Sequence, residues 1–365
     1  MNVSRSLESA RAPLGGPLIS DHITNYIMTM LSFLILTFSL PATVLNILNV
    51  YIFVNTKLDS VTVCFISLAL SYSSAMFLSS IKASFSLIFA FGASWGRNLP
   101  TLSYAFSFLF LSLLDMSSAT TTYIAVQRGL SVTFPFITRH AFNKNRSMVI
   151  CACISTAILA FTLPRFATFK LKTIPNETSL IVLEYFESWE SFDSFYLIFM
   201  KTVLAFIEYG TMIICAVAIS IGMRSSMKLK QKPNSNSSQT QSGAADSKKS
   251  KEKKDKKDID DIEGSEKDQS NKKDSKEALV VKQSFTVMLI HIILTTPRIF
   301  VCLYKVFEPR FTLGGQFNNF FFIFFNCIDL TDSMNAFVDF FVYLTFNSKF
   351  RKYFSTKIYS RVVKN

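Results

Sequence analysis

The sequence predicts an all-α membrane protein, a bundle of seven transmembrane helices with a short amphipathic helix after the seventh. Half of the 365 residues are hydrophobic, and Phe alone supplies 38 of them. Seven apolar runs of about 20 residues or more recur along the chain, each long enough as a helix to cross a hydrocarbon core roughly 30 Å thick. Between them no stretch is left that would fold as a large soluble domain.

Charge sets the expected orientation. The formal net charge is +13, and its placement points to lipid and topology rather than to nucleic acid. Arg139, Lys144 and Arg146 lie in one link, many lysines in the long link before the sixth helix, and Lys349, Arg351, Lys352, Lys357 and Arg361 in the tail. Links on the other side are sparse in bases or carry Glu184, Glu187 and Glu190. The positive-inside rule then puts the N-terminus outside the cell and the C-terminus in the cytoplasm. The opening segment MNVSRSLESARAPLGGPLISDH has no apolar core of signal-peptide type, so a retained tail is expected. The six cysteines all fall inside apolar runs without a CxxC pair, which argues against a disulfide framework or a zinc site. No metal or cofactor is expected.

Five segments follow: an outer tail over residues 1–24, helices one to five over 25–223, a lysine-rich disordered link over 224–281, helices six and seven over 282–346, and an amphipathic helix with tail over 347–365. Helix one carries Asn46 and Asn49, amides suited to gluing helices together. Helix two holds Tyr72 and Lys82, and the lysine must snorkel or find an acid. Along helix three Asp115, Ser118, Thr121 or Thr122, and Arg128 recur at helical steps and share a face. Asp115 and Arg128 stand about 20 Å apart along the axis and cannot pair. The loop after helix four contains the sequon at Asn176, and Asn2 begins another; both are expected to be lumenal and glycosylated. Helix five carries Glu208. The link after it has almost no apolar residue and cannot offset its chain entropy by burial. Helix six holds His291, Pro297 and Arg298, with the proline expected to bend it. Asp329, Asp332, Asn335 or Ala336, Asp339 and Tyr343 form a polar stripe on helix seven that must face the bundle interior. In FNSKFRKYFSTKIYS, Phe350 and Phe354 are expected to insert into the membrane, with Lys349, Arg351 and Lys352 at headgroups.

Seven spans, an arginine ending helix three, a proline in helix six and a basic helix after seven together resemble the rhodopsin-like G-protein-coupled receptors. Gln127, Arg128 and Gly129 stand where that family has an acid, an arginine and an aromatic, and Pro135 fits its second inner loop. Asp339 to Tyr343, DFFVY, stands where the family has asparagine or aspartate, proline, two variable residues and tyrosine. TLPRFATFK and NAFVDFFVYLTFNSKFRKYF also look like invertebrate FMRFamide-type peptide receptors, and equally like nematode serpentine receptors. The chain departs from the family pattern in several places. Tyr72 replaces the helix-two aspartate of the sodium site, about Ser103 replaces the disulfide cysteine of helix three, helix four lacks its tryptophan, and Leu294, Thr295 and Thr296 precede Pro297.

The resemblance implies a plasma-membrane receptor for an extracellular peptide or small-molecule ligand, coupled to a heterotrimeric G protein. Arg128, Gln127, Pro135, Pro297, Asp339 and Tyr343 are the expected coupling and activation residues. Gln127 offers only a neutral hydrogen bond where the family has a charge, which implies a weaker restraint and raised basal signalling. Asp115, Glu208, Arg298, Asp329 and Asp332 are the candidate ligand-binding residues. They form a net acidic, Phe-rich pocket suited to a cationic ligand. The competing reading of these charges is internal salt bridges through Arg298 or Lys82, and for His291 it is a hydrogen-bonded packing residue. No nucleophile triad, phosphate-cradling glycine loop or HExxH is present, so an enzyme is not expected. A transporter would use intramembrane acids as an ion path; the halves show no internal repeat.

Overall fold

The computed structural model describes residues 20–56, 58–92, 99–134, 138, 141–166, 169–173, 181–185, 195–230, 279, 281–305, 307–308, 310–311 and 317–359. Asn2, Pro135, Asn176 and the lysine-rich link beyond residue 230 lie outside them. Among the described residues seven helices are long and apolar enough to cross a membrane. They are α1 (Asp21–Val54), α2 (Ser60–Ala90), α3 (Leu99–Thr133), α4 (Lys144–Phe166), α5 (Leu204–Lys230), α6 (Val281–Lys305) and α7 (Asn318–Phe346). A short α8 (Ser348–Tyr353) follows the seventh. We call the end of the bundle where α1 begins the N-terminal face.

Local chemistry sets the helix ends. Ser20 caps α1 by accepting from the Ile23 N–H, so α1 starts earlier than its apolar run. Asp59 caps α2 through the Thr62 N–H, and Asn347 caps α8 through the Phe350 N–H. Gly92, at φ 73°, turns the chain away after α2. The basic segment expected to be disordered from Arg224 begins as helix, because α5 continues to Lys230. Nothing in MRSSMKLK breaks a helix, and the first breaker is Pro233.

The packing inverts that of a water-soluble bundle. On α1 the buried residues include Ser32, Ser39, Asn46 and Asn49, while Phe33, Val44 and Ile47 face outward. That is the pattern of a helix whose solvent is hydrocarbon and whose polar groups seek one another. Asn46 donates to the Ala336 carbonyl of α7 at 2.8 Å, and Ser39 bonds Ser80 of α2 at 2.8 Å. α2 occupies the centre, with Cys64, Leu68, Ala75 and Met76 wholly buried. Between α3 and α5 there is no room for a side chain at Gly222, where a Cβ would lie 2.0 Å from Val132 Cγ1.

Two expectations are corrected. Phe350 does not enter the membrane: it is fully buried against Phe53 of α1 and Phe340 and Tyr343 of α7, at ring distances of 5.3, 5.8 and 6.1 Å. Phe354 likewise packs on Phe340 at 5.8 Å. The cap at Asn347 turns α8 back across the bundle end, so its aromatic side meets α1 and α7 first. The loop after α4 also has structure of its own. Strands β1 (Phe169–Thr173) and β2 (Ile181–Tyr185) pair antiparallel, Phe169 opposite Tyr185 and Thr173 opposite Ile181. Backbone hydrogen bonds thus hold these two segments together.

Candidate functional site

Charged side chains gather inside the half of the bundle nearer the N-terminal face. Lys201, in the π-helical turn Leu197–Val203 that leads into α5, bonds Asp115 of α3. Arg298 of α6 meets Asp332 of α7 at 2.5 Å, and Lys82 of α2 meets Asp329 of α7 at 2.9 Å. The Lys82 ammonium also sits 4.4 Å from the centre of the Phe110 ring. Each pair joins two different helices and satisfies charges that hydrocarbon would not tolerate alone.

Asp115, Ser118, Lys201, Glu208 and Arg298 line one cavity of about 30 Å³, room for a water or two. The candidate ligand residues therefore divide. Asp115, Glu208 and Arg298 come together around the cavity; Asp332 reaches it only through Arg298, and Asp329 is held away by Lys82. This cavity is not the net acidic, Phe-rich pocket expected: its two acids, Asp115 and Glu208, face two bases, Lys201 and Arg298, and no phenylalanine lines it. Glu208 stands apart. Its carboxylate accepts from the Ser118 hydroxyl at 2.7 Å and makes no ion pair among the described residues.

A chain of polar contacts leads from Glu208 into the middle of the bundle. Ser118 lies 3.4 Å from His291 Nε2, while Asn335 donates to His291 Nδ1 at 2.9 Å and to the Tyr72 hydroxyl at 2.7 Å. With Nδ1 accepting, the ring proton sits on Nε2, so the donors run from His291 through Ser118 to Glu208. Four helices, α2, α3, α6 and α7, meet at this imidazole. His291 is thus hydrogen-bonded, and it is also the crossing point of the network. Just beyond it Thr295 and Thr296 donate to the carbonyls of His291 and Ile292 at 2.6 and 2.7 Å, and Tyr209 of α5 bonds Thr296 at 2.7 Å. Pro297 follows directly, where it removes one more helical bond.

Towards the opposite face, in the last two turns of α3 before it ends at Thr133, stand Gln127 and Arg128. Gln127 is almost fully buried and faces α2: its amide donates to Ser60 Oγ at 2.5 Å, and its carbonyl takes the Cys64 thiol at 3.8 Å. Ser60 bonds Ser147 of α4 at 2.6 Å, and Ser147 bonds Tyr123 at 3.1 Å. Asp59 holds Thr62 through one carboxylate oxygen and meets Lys349 of α8 at 3.5 Å with the other. Partial burial works to raise the Asp59 pKa, but the Thr62 bonds and the charges of Lys349 and Arg128 hold it below the usual carboxylate range. Deeper in α7, Asp339 and Tyr343 are buried, and neither carboxylate oxygen nor the hydroxyl has a hydrogen-bond partner among the described residues.

Sequence reasoning missed Lys201, the network role of Asn335 and Tyr72, and Asp59. For Lys201 a signal existed: it stands two helical turns before Glu208 and shares its face. Nothing local marks Asp59 beyond its capping position.

No curated protein matches the chain. A family model described as 7 transmembrane receptor (rhodopsin family) matches residues 45–343. Members of that family are multi-pass plasma-membrane receptors that take a ligand from outside and signal through a heterotrimeric G protein. With seven spanning helices in sequence and a match over most of its length, the chain belongs to the rhodopsin family of seven-transmembrane receptors.

Proposed function

We propose that this receptor has its N-terminus outside the cell and its C-terminus in the cytoplasm, binds a cationic neuropeptide through Glu208, and couples to its G protein at Arg128. The orientation rests on the excess of lysine and arginine at the face opposite the N-terminal one. The observation that carries the ligand class is the state of the acids. Among the described residues, Asp115, Asp329 and Asp332 each have a basic ion-pair partner, whereas Glu208 has only a serine hydroxyl. A ligand cation supplies the missing charge there, as the arginine of a peptide ending in arginine and an aromatic amide would, consistent with the resemblance to FMRFamide-type receptors.

Binding at Glu208 competes with the Ser118 bond and so disturbs His291, which ties α3 to α2, α6 and α7. Pro297, a turn and a half further along α6, lets that helix swing about a weakened ladder. The ligand thereby biases an equilibrium between two packings. Coupling then falls to Arg128, together with Gln127, Pro135, Asp339 and Tyr343, as the family resemblance implies. A neutral Gln127 restrains Arg128 less than an acid does, so Gln127→Glu lowers agonist-free signalling. Asn2 and Asn176 are the proposed glycan sites of the outer side.

The test is a panel of amidated peptides and small odorants assayed for G-protein activation in cells expressing the chain. A peptide with a basic residue activates, and Glu208→Gln loses that response by tenfold or more while surface expression stays. Equal responses from Glu208→Gln would contradict the ligand assignment. A second reading, a chemosensory receptor for a small molecule, gains support from the small size of the cavity, about 30 Å³; activation by odorants alone would select it.

A further inference from the structure

The residue before Arg128 carries no charge, yet the structure puts an acid one residue away from the group that Gln127 holds. Gln127 bonds Ser60 at 2.5 Å, and Ser60 directly follows Asp59. Asp59 is the cap of α2, so its carboxylate is fixed by two bonds from Thr62, at 2.9 and 2.7 Å, and does not wander. Its second oxygen points to Lys349 on α8 at 3.5 Å. α8 is itself anchored by the fully buried Phe350. Desolvation opposes the charge of Asp59, and the Thr62 bonds, then Lys349 and last Arg128 hold its pKa below the usual range. Among the described residues Asp59 is the one acid exposed at this face, where Arg128, Arg146, Arg224, Lys282, Lys349 and Arg351 gather.

We propose that Asp59 supplies, from the start of α2, the counter-charge for Arg128 that position 127 lacks, and that it ties this restraint to α8 through Lys349. The off-state lock is then shared between three elements instead of lying within α3. It yields to any binding partner that offers Arg128 a better acceptor while displacing α8, which is what a G protein docking across this face would do. The assignment rests on the reading of Arg128 as the coupling residue. Asp59 is a positioning residue: it acts on Arg128 and need not touch the G protein.

Agonist-free nucleotide exchange by a G-protein panel on the reconstituted full chain tests this, with Arg128→Ala as baseline. Asp59→Asn keeps a good helix cap and removes the charge, and raises basal exchange about two- to five-fold, the scale of an exposed ion pair. Asp59→Glu keeps the charge and stays near the original level. Asp59→Asn with Gln127→Glu returns to that level or below. An Arg128-dependent signal that Asp59→Asn leaves unchanged overturns the assignment of Asp59 alone. A rise in Asp59→Glu without one in Asp59→Asn also overturns it, since that marks a capping role only. Exchange that survives Arg128→Ala, or none from any pairing, overturns the coupling reading together with it.

Discussion

Lys201 and Asp115 show how single residues here do two jobs. Their bond ties the start of α5 to α3, and it also neutralises an acid that would otherwise line the cavity unpaired. Breaking one side strands a charge in a low-dielectric interior, at about 3–5 kcal/mol. Lys201→Met should therefore lower the thermal midpoint in detergent sharply, and adding Asp115→Leu should restore most of it; a single variant no worse than the double would show that the pair is not structural. The residue scale was partly legible. Asp115, Glu208, Arg298 and Asp332 were visible because ionisable groups in apolar helices demand partners. Which partner each would find depended on helix rotation, and no sequence pattern gives that. The sequence marks His291 as a hydrogen-bonded packing residue and Tyr72 as the replacement for the sodium-site aspartate, but not that Asn335 bonds both.

At the scale of elements, α3 and α5 approach each other closely near Arg128. Gly129 meets Cys215 of α5, whose Sγ would lie 3.4 Å from an added Cβ, and Gly222 leaves only 2.0 Å to Val132. Gly222→Ala should separate the helices and destabilise by about 1–3 kcal/mol, read as a lower thermal midpoint, with Val132→Ala relieving it. No loss in Gly222→Ala would mean that the helices already have slack there. Helix existence was plain in the sequence, since runs of spanning length with few charges admit little else. Helix ends were less so, because capping by Ser20, Asp59 and Asn347 depends on single side chains. The β1–β2 hairpin was signalled weakly by the alternation in FKLKT, too short beside a sequon to outweigh a loop. The direction of Phe350 was invisible, since an amphipathic pattern alone does not tell a membrane surface from the end of a bundle.

For the whole molecule, the polar interior forms two regions among the described residues: a charged cavity below the N-terminal face, whose hydrogen bonds run from Glu208 through Ser118 and His291 to Asn335 and Tyr72, and a second cluster around Gln127, Ser60 and Ser147 at the opposite face. The resemblance seen in the sequence covered this overall arrangement, because spanning runs and landmark residues keep their order even where individual motifs differ. It left open the ligand, since a cavity of about 30 Å³ must open to admit one. On the proposed function, a cation bound near Glu208 drives G-protein activation at Arg128. The direct measurement is nucleotide exchange on a G protein co-reconstituted with the full chain, with and without an amidated basic peptide, against uptake and current in the same vesicles. The account predicts peptide-stimulated exchange that Arg128→Ala abolishes, with no flux of solute. Peptide-driven uptake or current with no exchange would contradict it and point to a transporter instead.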